Sequence, residues 1–350
     1  MPTFHNSFVP SRPRVTAFLT SLREASGDRA CIRRGFLRGT ARVKLYNRLR
    51  TYYKWRTNQA PRGRIRIAET LRLYIQPKTV DDALSSLSTH QAQILSGGTD
   101  FFPALGDRAI RGTVIDISAL RALRGITNNP DHTRIGALAT WTEIIQTWLP
   151  RCFDGLKDAA RQIGAIQIQN RGTIAGNLCN ASPAADGVPP LLAMDAEVEL
   201  ASSCGLRRIP LAEFIVGNRK TLRRPDELLT AVIVPRTLDD ATSSFVKLGA
   251  RRYLVISISM VAAVVLADGA GRVAAARVAV GSCSTVARRL PQLEHDLIGA
   301  SLDATVETRV RPEHLAALSP IDDVRATADY RREASLTLVQ RALNRCAEKR

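Results

Sequence analysis

Residues 167–186 read Gln167-Ile168-Gln169-Asn170-Arg171-Gly172-Thr173-Ile174-Ala175-Gly176-Asn177-Leu178-Cys179-Asn180-Ala181-Ser182-Pro183-Ala184-Ala185-Asp186. Small side chains, two glycines, three asparagines and a proline dominate, with little charge and little amphipathic periodicity. This composition predicts an irregular, tightly packed loop. A second such segment, Ser96-Gly97-Gly98-Thr99-Asp100, lies about 75 residues upstream. It directly follows Gln91–Leu95, which reads as a strand. A loop that holds a phosphate needs backbone N–H groups turned towards one point with no Cβ in the way, and glycine meets both demands. Thr, Ser and Asn add short donors, and a helix N-terminus adds its positive end. Ser96–Asp100 and Thr173–Asn177 both fit. Neither has a P-loop lysine or G-x-G-x-x-G spacing. As a pair they can clasp a pyrophosphate from two sides. Asp186 suits the hydroxyls of a sugar or sugar alcohol. Its alternative reading is a helix cap for the segment that starts near Val188.

Outward from these loops the pattern is regular. Leu71–Ile75 reads as a strand, and a helix starts at Pro77 and Thr79 and runs to Leu87. Val114–Ile117 and Thr133–Leu138 are further strands. Thr140 can cap a helix over Trp141–Trp148, and Asp154–Ile163 forms another, with Gly164 placed for a left-handed end. Val188–Met194 reads as a short buried helix and Glu197–Ala201 as a strand. Tyr253–Ala267 is the longest apolar stretch. It is too short to span a membrane and reads as one buried strand.

The chain has 350 residues, 45% hydrophobic and 23% charged, which suits two or three globular domains and excludes a disordered, collagenous or membrane-spanning chain. Its net charge of +18 suggests an anionic partner. However, residues 1–75 hold 17 of the 50 bases and only 3 of the 32 acids, so the remainder, with 33 bases and 29 acids, is close to balanced. Nine of the eighteen aromatics lie in the same N-terminal fifth. Residues 1–66 therefore read as a basic, poorly ordered extension. A twin-arginine export signal at Arg33-Arg34 is rejected, because no apolar segment follows it. The six cysteines are scattered, with a shortest gap of 25 residues and no C-x-x-C, and the five histidines form no ligand pair. That pattern excludes the usual zinc and ferredoxin-like clusters and suits reduced thiols in the cytoplasm.

These residues resemble the FAD-binding (medium) subunit of molybdenum hydroxylases, the group that includes the flavin subunits of carbon monoxide dehydrogenases, xanthine dehydrogenases and aldehyde oxidoreductases. The resemblance runs from about Leu71 to the C-terminal region. Ser96–Asp100 is similar to the family's A-G-G-T/H-D/S, and Thr173–Asn177 to its T-I-G-G-N. Asn180–Asp186 keeps its N-A-S-P-x-x-D. Gly217–Thr221 and Asp226–Leu229 resemble the segments that end its flavin domain. Phe245–Gly249 and Arg251–Ser257 resemble the start of its smaller C-terminal domain. There are departures. Ala175 stands where the family has a glycine, so its backbone must avoid the glycine-only region. Gln169 replaces a frequent Arg. Ile256 and Ser257 supply neither the acidic nor the aromatic residue found near the flavin ring in some members.

The resemblance implies an α+β fold: two α/β subdomains of a PCMH-type FAD-binding domain over residues 67–240, then a small domain with an antiparallel sheet and helices over 241–350. It implies FAD as the cofactor, bound by Ser96, Gly97, Gly98, Thr99, Asp100, Thr173, Ile174, Ala175, Gly176, Asn177, Ser182, Asp186 and Lys247. In this reading the loop amides hold the pyrophosphate, Asp186 accepts from ribityl or ribose hydroxyls, and Lys247 places a charge near the flavin. The alternative for Lys247 is a surface strand lysine. The resemblance also implies a heterotrimer, open to further dimerisation, with a small iron–sulfur subunit and a large molybdopterin subunit. Electrons would cross the iron–sulfur clusters to FAD and pass to NAD, a quinone or oxygen. Two rival readings remain: a nucleic-acid-binding protein that uses residues 1–66 on a degenerate flavin fold, and a free-standing flavin oxidoreductase.

Overall fold

The computed structural model describes residues 73–350. The basic extension over 1–66, expected to be poorly ordered, lies outside the described residues. Strand β1 (Leu73–Ile75), helix α1 (Val80–Thr89), strand β2 (Ala92–Leu95), helix α2 (Phe101–Leu105) and strand β3 (Thr113–Asp116) form the first layer. Its sheet is parallel, in the order β1-β3-β2. Parallel neighbours need crossover connections, and α1 and α2 supply them. α1 starts where the sequence predicts. Thr79 Oγ1 accepts from the Asp82 N–H and the Asp82 carboxylate accepts from the Thr79 N–H, each at 3.1 Å. Two orphan amides of the first turn are thus paired.

The second layer holds β4 (Ile126–Asn128), β5 (His132–Gly136), α3 (Trp141–Gln146), α4 (Asp154–Gln162), α5 (Ile166–Gln169), α6 (Ile174–Asn180), α7 (Val188–Ala193), β6 (Glu197–Ser202), β7 (Gly205–Pro210), α8 (Leu211–Phe214), the β8 (Ile215–Gly217) and β9 (Lys220–Thr221) hairpin, and β10 (Leu228–Pro235). The antiparallel sheet runs β4-β5-β10-β6-β7. Its central strand β10 is buried along nearly its whole length, as its run of Leu, Val and Ile requires. Trp141, Phe153 and Phe214 fill the core between sheet and helices. The Gln167–Asp186 stretch departs from the expected loop: half of it is helical, in α5 and α6, and Thr173 caps α6. Its glycine and asparagines are weak helix formers. The helix forms because Ile174, Ala175 and Leu178 bury one face in the core.

The third layer is an antiparallel sheet in the order of the chain: β11 (Thr242–Leu248), β12 (Ser259–Ala267), β13 (Val273–Gly281) and β14 (Arg288–Arg289). Helices α9 (Pro291–Leu297) and α10 (Ala328–Glu348) follow. This sheet is a wall between two cores, and the strand period of two shows it. Phe245, Met260, Ala262, Val264 and Ala279 face the second layer. Val246, Val261, Ala263, Val265, Val278 and Val280 face α10 through Leu338, Val339, Ala342 and Leu343. A strand buried on both faces reads as a continuous apolar run, which is the signal that β12 gives. The expected strand over Tyr253–Ala267 is nevertheless too long. β11 ends at Leu248, paired with Ser259, so residues 249–258 must form the connection between the strands. Within it Leu254 has φ +52°, and Tyr253, Leu254 and Ile256 are exposed. Among the described residues no helix is long and apolar enough to cross a membrane.

A buried arginine pins the start of α10. The Arg331 guanidinium donates to the carbonyls of Ile258 and Ser282 and to Asp323 at 2.7 Å. Partial burial works to raise the Asp323 carboxyl from its ordinary 3.8, but the Arg325 N–H and the Arg331 guanidinium outweigh it and hold it at about 2. A depressed carboxylate stabilises the fold above its unfolded pKa, and that stability is lost as pH falls through its folded one. Thermal unfolding of the protein is therefore expected to lose more stability between pH 4 and pH 2 than that of Asp323→Asn. Parallel curves for the two proteins would count against this anchor.

Candidate functional site

A cleft of about 550 Å³ opens between the first two layers. The Ser96–Asp100 loop lines one side, and Thr173, Ala175, Gly176 and Asn177 line the other. The structure thus brings the two sequence motifs together. Ser96 Oγ and Thr173 Oγ1 meet at 3.2 Å across the gap. The approach is as close as glycine allows. A Cβ on Gly97 would stand 1.9 Å from the Arg171 carbonyl oxygen, and one on Gly98, at φ +76°, would stand 2.7 Å from the Phe102 ring. The Trp141 ring lies between Gly172 and Gly187, where added Cβ atoms would come within 3.3 and 2.5 Å of it.

The two motifs differ in what they offer a ligand. The N–H groups of Gly97, Gly98 and Thr99 have no hydrogen-bond partner among the described residues, and all three residues line the cleft. Three successive free amides on a glycine turn form a nest for an anion. In the second motif the N–H of Thr173 likewise has no partner among the described residues, while those of Ile174, Ala175, Gly176 and Asn177 are engaged inside the protein. Ile174 donates to the Ala139 carbonyl and Ala175 to that of Ala137. Gly176 donates to Thr173 Oγ1, and Asn177 to the Thr173 carbonyl. A further unpartnered group here is the Asn177 carboxamide oxygen, which is buried. Ala175 has no positive φ, because it sits in the first turn of α6, so the methyl in place of glycine imposes no strain.

Four other expected site residues are not on the cleft wall. Ile174 is fully buried in the core. Ser182 accepts from the Ala184 N–H within a turn. Asp186 is not a helix cap, since Gly187 precedes α7, and its carboxylate accepts from Lys247 Nζ at 2.6 Å and from Ser257 Oγ at 2.5 Å. Lys247 is no surface lysine, since its side chain is 5% exposed. Burial pushes the Asp186 carboxyl up, and the Lys247 ammonium and Ser257 hydroxyl pull against it. The pair lies close to the cleft, because Lys247 Nζ also reaches the carbonyl of Gln162, next to the lining residue Ile163. Trp141, Arg219 and Arg223 line the cleft as well, and sequence reasoning did not place them there. The Gly217–Thr221 motif was the available signal for Arg219.

The cleft fits an extended ligand with an anionic centre: a nest of amides, a carboxamide without a partner, and glycines whose missing Cβ atoms leave the room. Comparison with known proteins gives that ligand. The chain belongs to the family of FAD-binding subunits of the molybdenum hydroxylases, and its cofactor is FAD. The sequence profile of the FAD binding domain in molybdopterin dehydrogenase matches residues 66–237, and that of the CO dehydrogenase flavoprotein C-terminal domain matches residues 244–346. The nicotinate dehydrogenase FAD-subunit of Eubacterium barkeri is 35% identical over 67% of this chain and 81% of its own length. The 6-hydroxypseudooxynicotine dehydrogenase complex subunit alpha of Paenarthrobacter nicotinovorans is 32% identical over 77% and 92%. Carbon monoxide dehydrogenase from Hydrogenophaga pseudoflava has the same fold, with a TM-score of 0.72, 26% identity, and coverage of 81% of this chain and 99% of that one.

Two substitutions separate the motifs. Gly97→Ala is expected to yield protein with little bound FAD, because its Cβ overlaps the Arg171 carbonyl. Ala175→Gly is expected to bind FAD no more tightly and to lose up to about 1 kcal/mol of stability, the cost of a helical glycine. Flavin absorbance of the purified proteins and denaturant melts measure both. A yellow Gly97→Ala protein would refute the close-approach argument.

Proposed function

We propose that this chain is the electron-carrying flavin subunit of a molybdenum hydroxylase complex. It takes electrons from the iron–sulfur clusters of a small partner subunit, which receives them from a large molybdopterin subunit. It passes them to an acceptor such as NAD, a quinone or oxygen. The reading is supported by relatives whose names describe FAD subunits or medium chains of dehydrogenases. We read residues 67–240 as the FAD-binding domain and 241–350 as the C-terminal domain. We place the protein in the cytoplasm, which its free thiols at Cys152, Cys179, Cys204, Cys283 and Cys346 support.

FAD, when bound, supplies the redox chemistry, and the protein supplies position and electrostatics. The observation that carries the assignment of roles is the row of unpaired amides at Gly97, Gly98 and Thr99. They are donors for the pyrophosphate, preorganised by the Gly98 turn. Asn177 offers its carboxamide to the same ligand. Ser96 and Thr173 hold the two motifs in register through their hydroxyl contact. Gly176 and Ala175 act as spacers that keep the wall of α6 low. Asp186 and Lys247 form a buried ion pair at the junction with the C-terminal sheet, where the lysine sets a fixed positive charge near the cofactor.

Rapid mixing tests the electron path. With the small and large subunits present, the organic substrate of the complex is expected to bleach the flavin absorbance. Without the small subunit the flavin is expected to stay oxidised. Bleaching of the isolated chain by the same substrate would instead support a free-standing oxidoreductase.

A further inference from the structure

The two sides of the cleft are joined at a second point, by Arg219. Its guanidinium donates to Asp100 at 2.8 Å, at the end of the first glycine loop, and to the Asn180 side chain, at the end of α6. The Ser96–Thr173 contact ties the start of the first loop to the second motif, and the Arg219 bridge ties its end. The free amides of Gly97, Gly98 and Thr99 lie between them in sequence. The backbone supports this bridge at a cost. Arg219 occupies the β8–β9 hairpin with φ +58°, a position suited to Gly or Asn, and its N–H donates at 2.9 Å to the carbonyl of Ala181, itself at φ +48°. Two non-glycine residues in left-handed conformation are thus bonded to each other at the mouth of the cleft. Strain of this kind persists where the surrounding structure holds it, and it clusters at ligand clamps.

We propose that Arg219 is a clasp that sets how long FAD stays in the cleft, an inference that rests on the cofactor reading above. The ligand spans the cleft between the two motifs, so it leaves only after the guanidinium lets go of Asp100 and Asn180. The clasp is half exposed, at 55% for the Arg219 side chain and 49% for that of Asp100, so it opens readily and is screened by salt.

Release of FAD from the full chain, followed by the rise in flavin fluorescence on dilution, tests the clasp. Arg219→Gly removes the side chain and relieves the strained φ, so the variant keeps its fold. It and Asp100→Asn are each expected to release FAD about 1.5- to fivefold faster, the range for an exposed ion pair. The double variant is expected to be no faster than the faster single one, because both changes break the same bridge. Added salt speeds release from the wild type and leaves Arg219→Gly unmoved. In the FAD-free chain, Arg219→Gly exchanges the amides of Phe102 and Ala104 faster, since these donate to the carbonyls of Gly98 and Asp100 on the loop that the clasp holds. Wild-type release rates in both single variants, additive effects in the double one, or unchanged amide exchange would each overturn the clasp while the cofactor reading stands. A wild-type chain that takes up no FAD overturns the cofactor reading and the clasp with it.

Discussion

The Gly97 backbone lies directly against the carbonyl of Arg171, and the cleft depends on that contact. No side chain fits between the two segments, since even a methyl group would overlap the oxygen. The contact fixes the first loop on the second, and the second is fixed on the sheet. Ile174 and Ala175 donate to carbonyls just beyond β5, Trp141 donates to the carbonyl of Gly172, and Thr140 bridges to Thr173. The corner between β5 and α3 therefore carries α6, and α6 carries the glycine loop. The first loop is joined to this frame by the Gly97–Arg171 contact, the Ser96–Thr173 hydroxyl bond and the Arg219–Asp100 pair. Preorganisation of this kind lowers the entropy cost of ligand binding.

The Asp186–Lys247 pair does for the layers what the Gly97 contact does for the loops. Asp186 follows α6 and Lys247 lies on β11, so the pair joins the flavin-binding layers to the wall of the C-terminal sheet. A buried ion pair stabilises little over apolar packing, but removal of one partner leaves an uncompensated charge and costs about 3–5 kcal/mol. Such a pair acts as a registry device: it tolerates only the packing in which both charges meet. Ser257 completes it from the connection before β12, which places that connection at the same junction.

Elements with local causes were legible in the sequence. Thr79 and Thr140 each make a capping box with the acid three residues on, and both helices start where these caps predict. Alternation and apolar runs located the strands. Two readings failed, and one pairing went unseen, because their causes are not local. The second motif looks like a loop, since only the core contacts of Ile174 and Leu178 make it a helix. Tyr253–Ala267 looks like one strand, since apolarity does not reveal where β11 ends and forces a turn. Asp186 and Lys247 are 61 residues apart, and nothing in the sequence joins them. Their pairing is a property of the fold. The glycines, in contrast, were legible because their reason is steric and needs no knowledge of the partner segment.

The charge of the chain and the charge at its site are different matters. Most of the +18 belongs to residues 1–75, and the walls of the cleft are nearly neutral. The charged residues that line it are Asp100, Arg219 and Arg223. Arg223 is turned aside, donating to the carbonyls of Arg224 and Glu227. Arg219 is already paired with Asp100. An anion in this cleft therefore meets backbone dipoles and not a free cation. Backbone amides do not titrate, and donors within a cleft are screened far less than exposed charges. Affinity for the pyrophosphate should consequently vary little with pH and salt, while the exposed ion pair at the mouth responds to ionic strength. Retention and recognition are thus assigned to different physics in one site: recognition to fixed amides inside the cleft, and retention to a side-chain bridge at its edge.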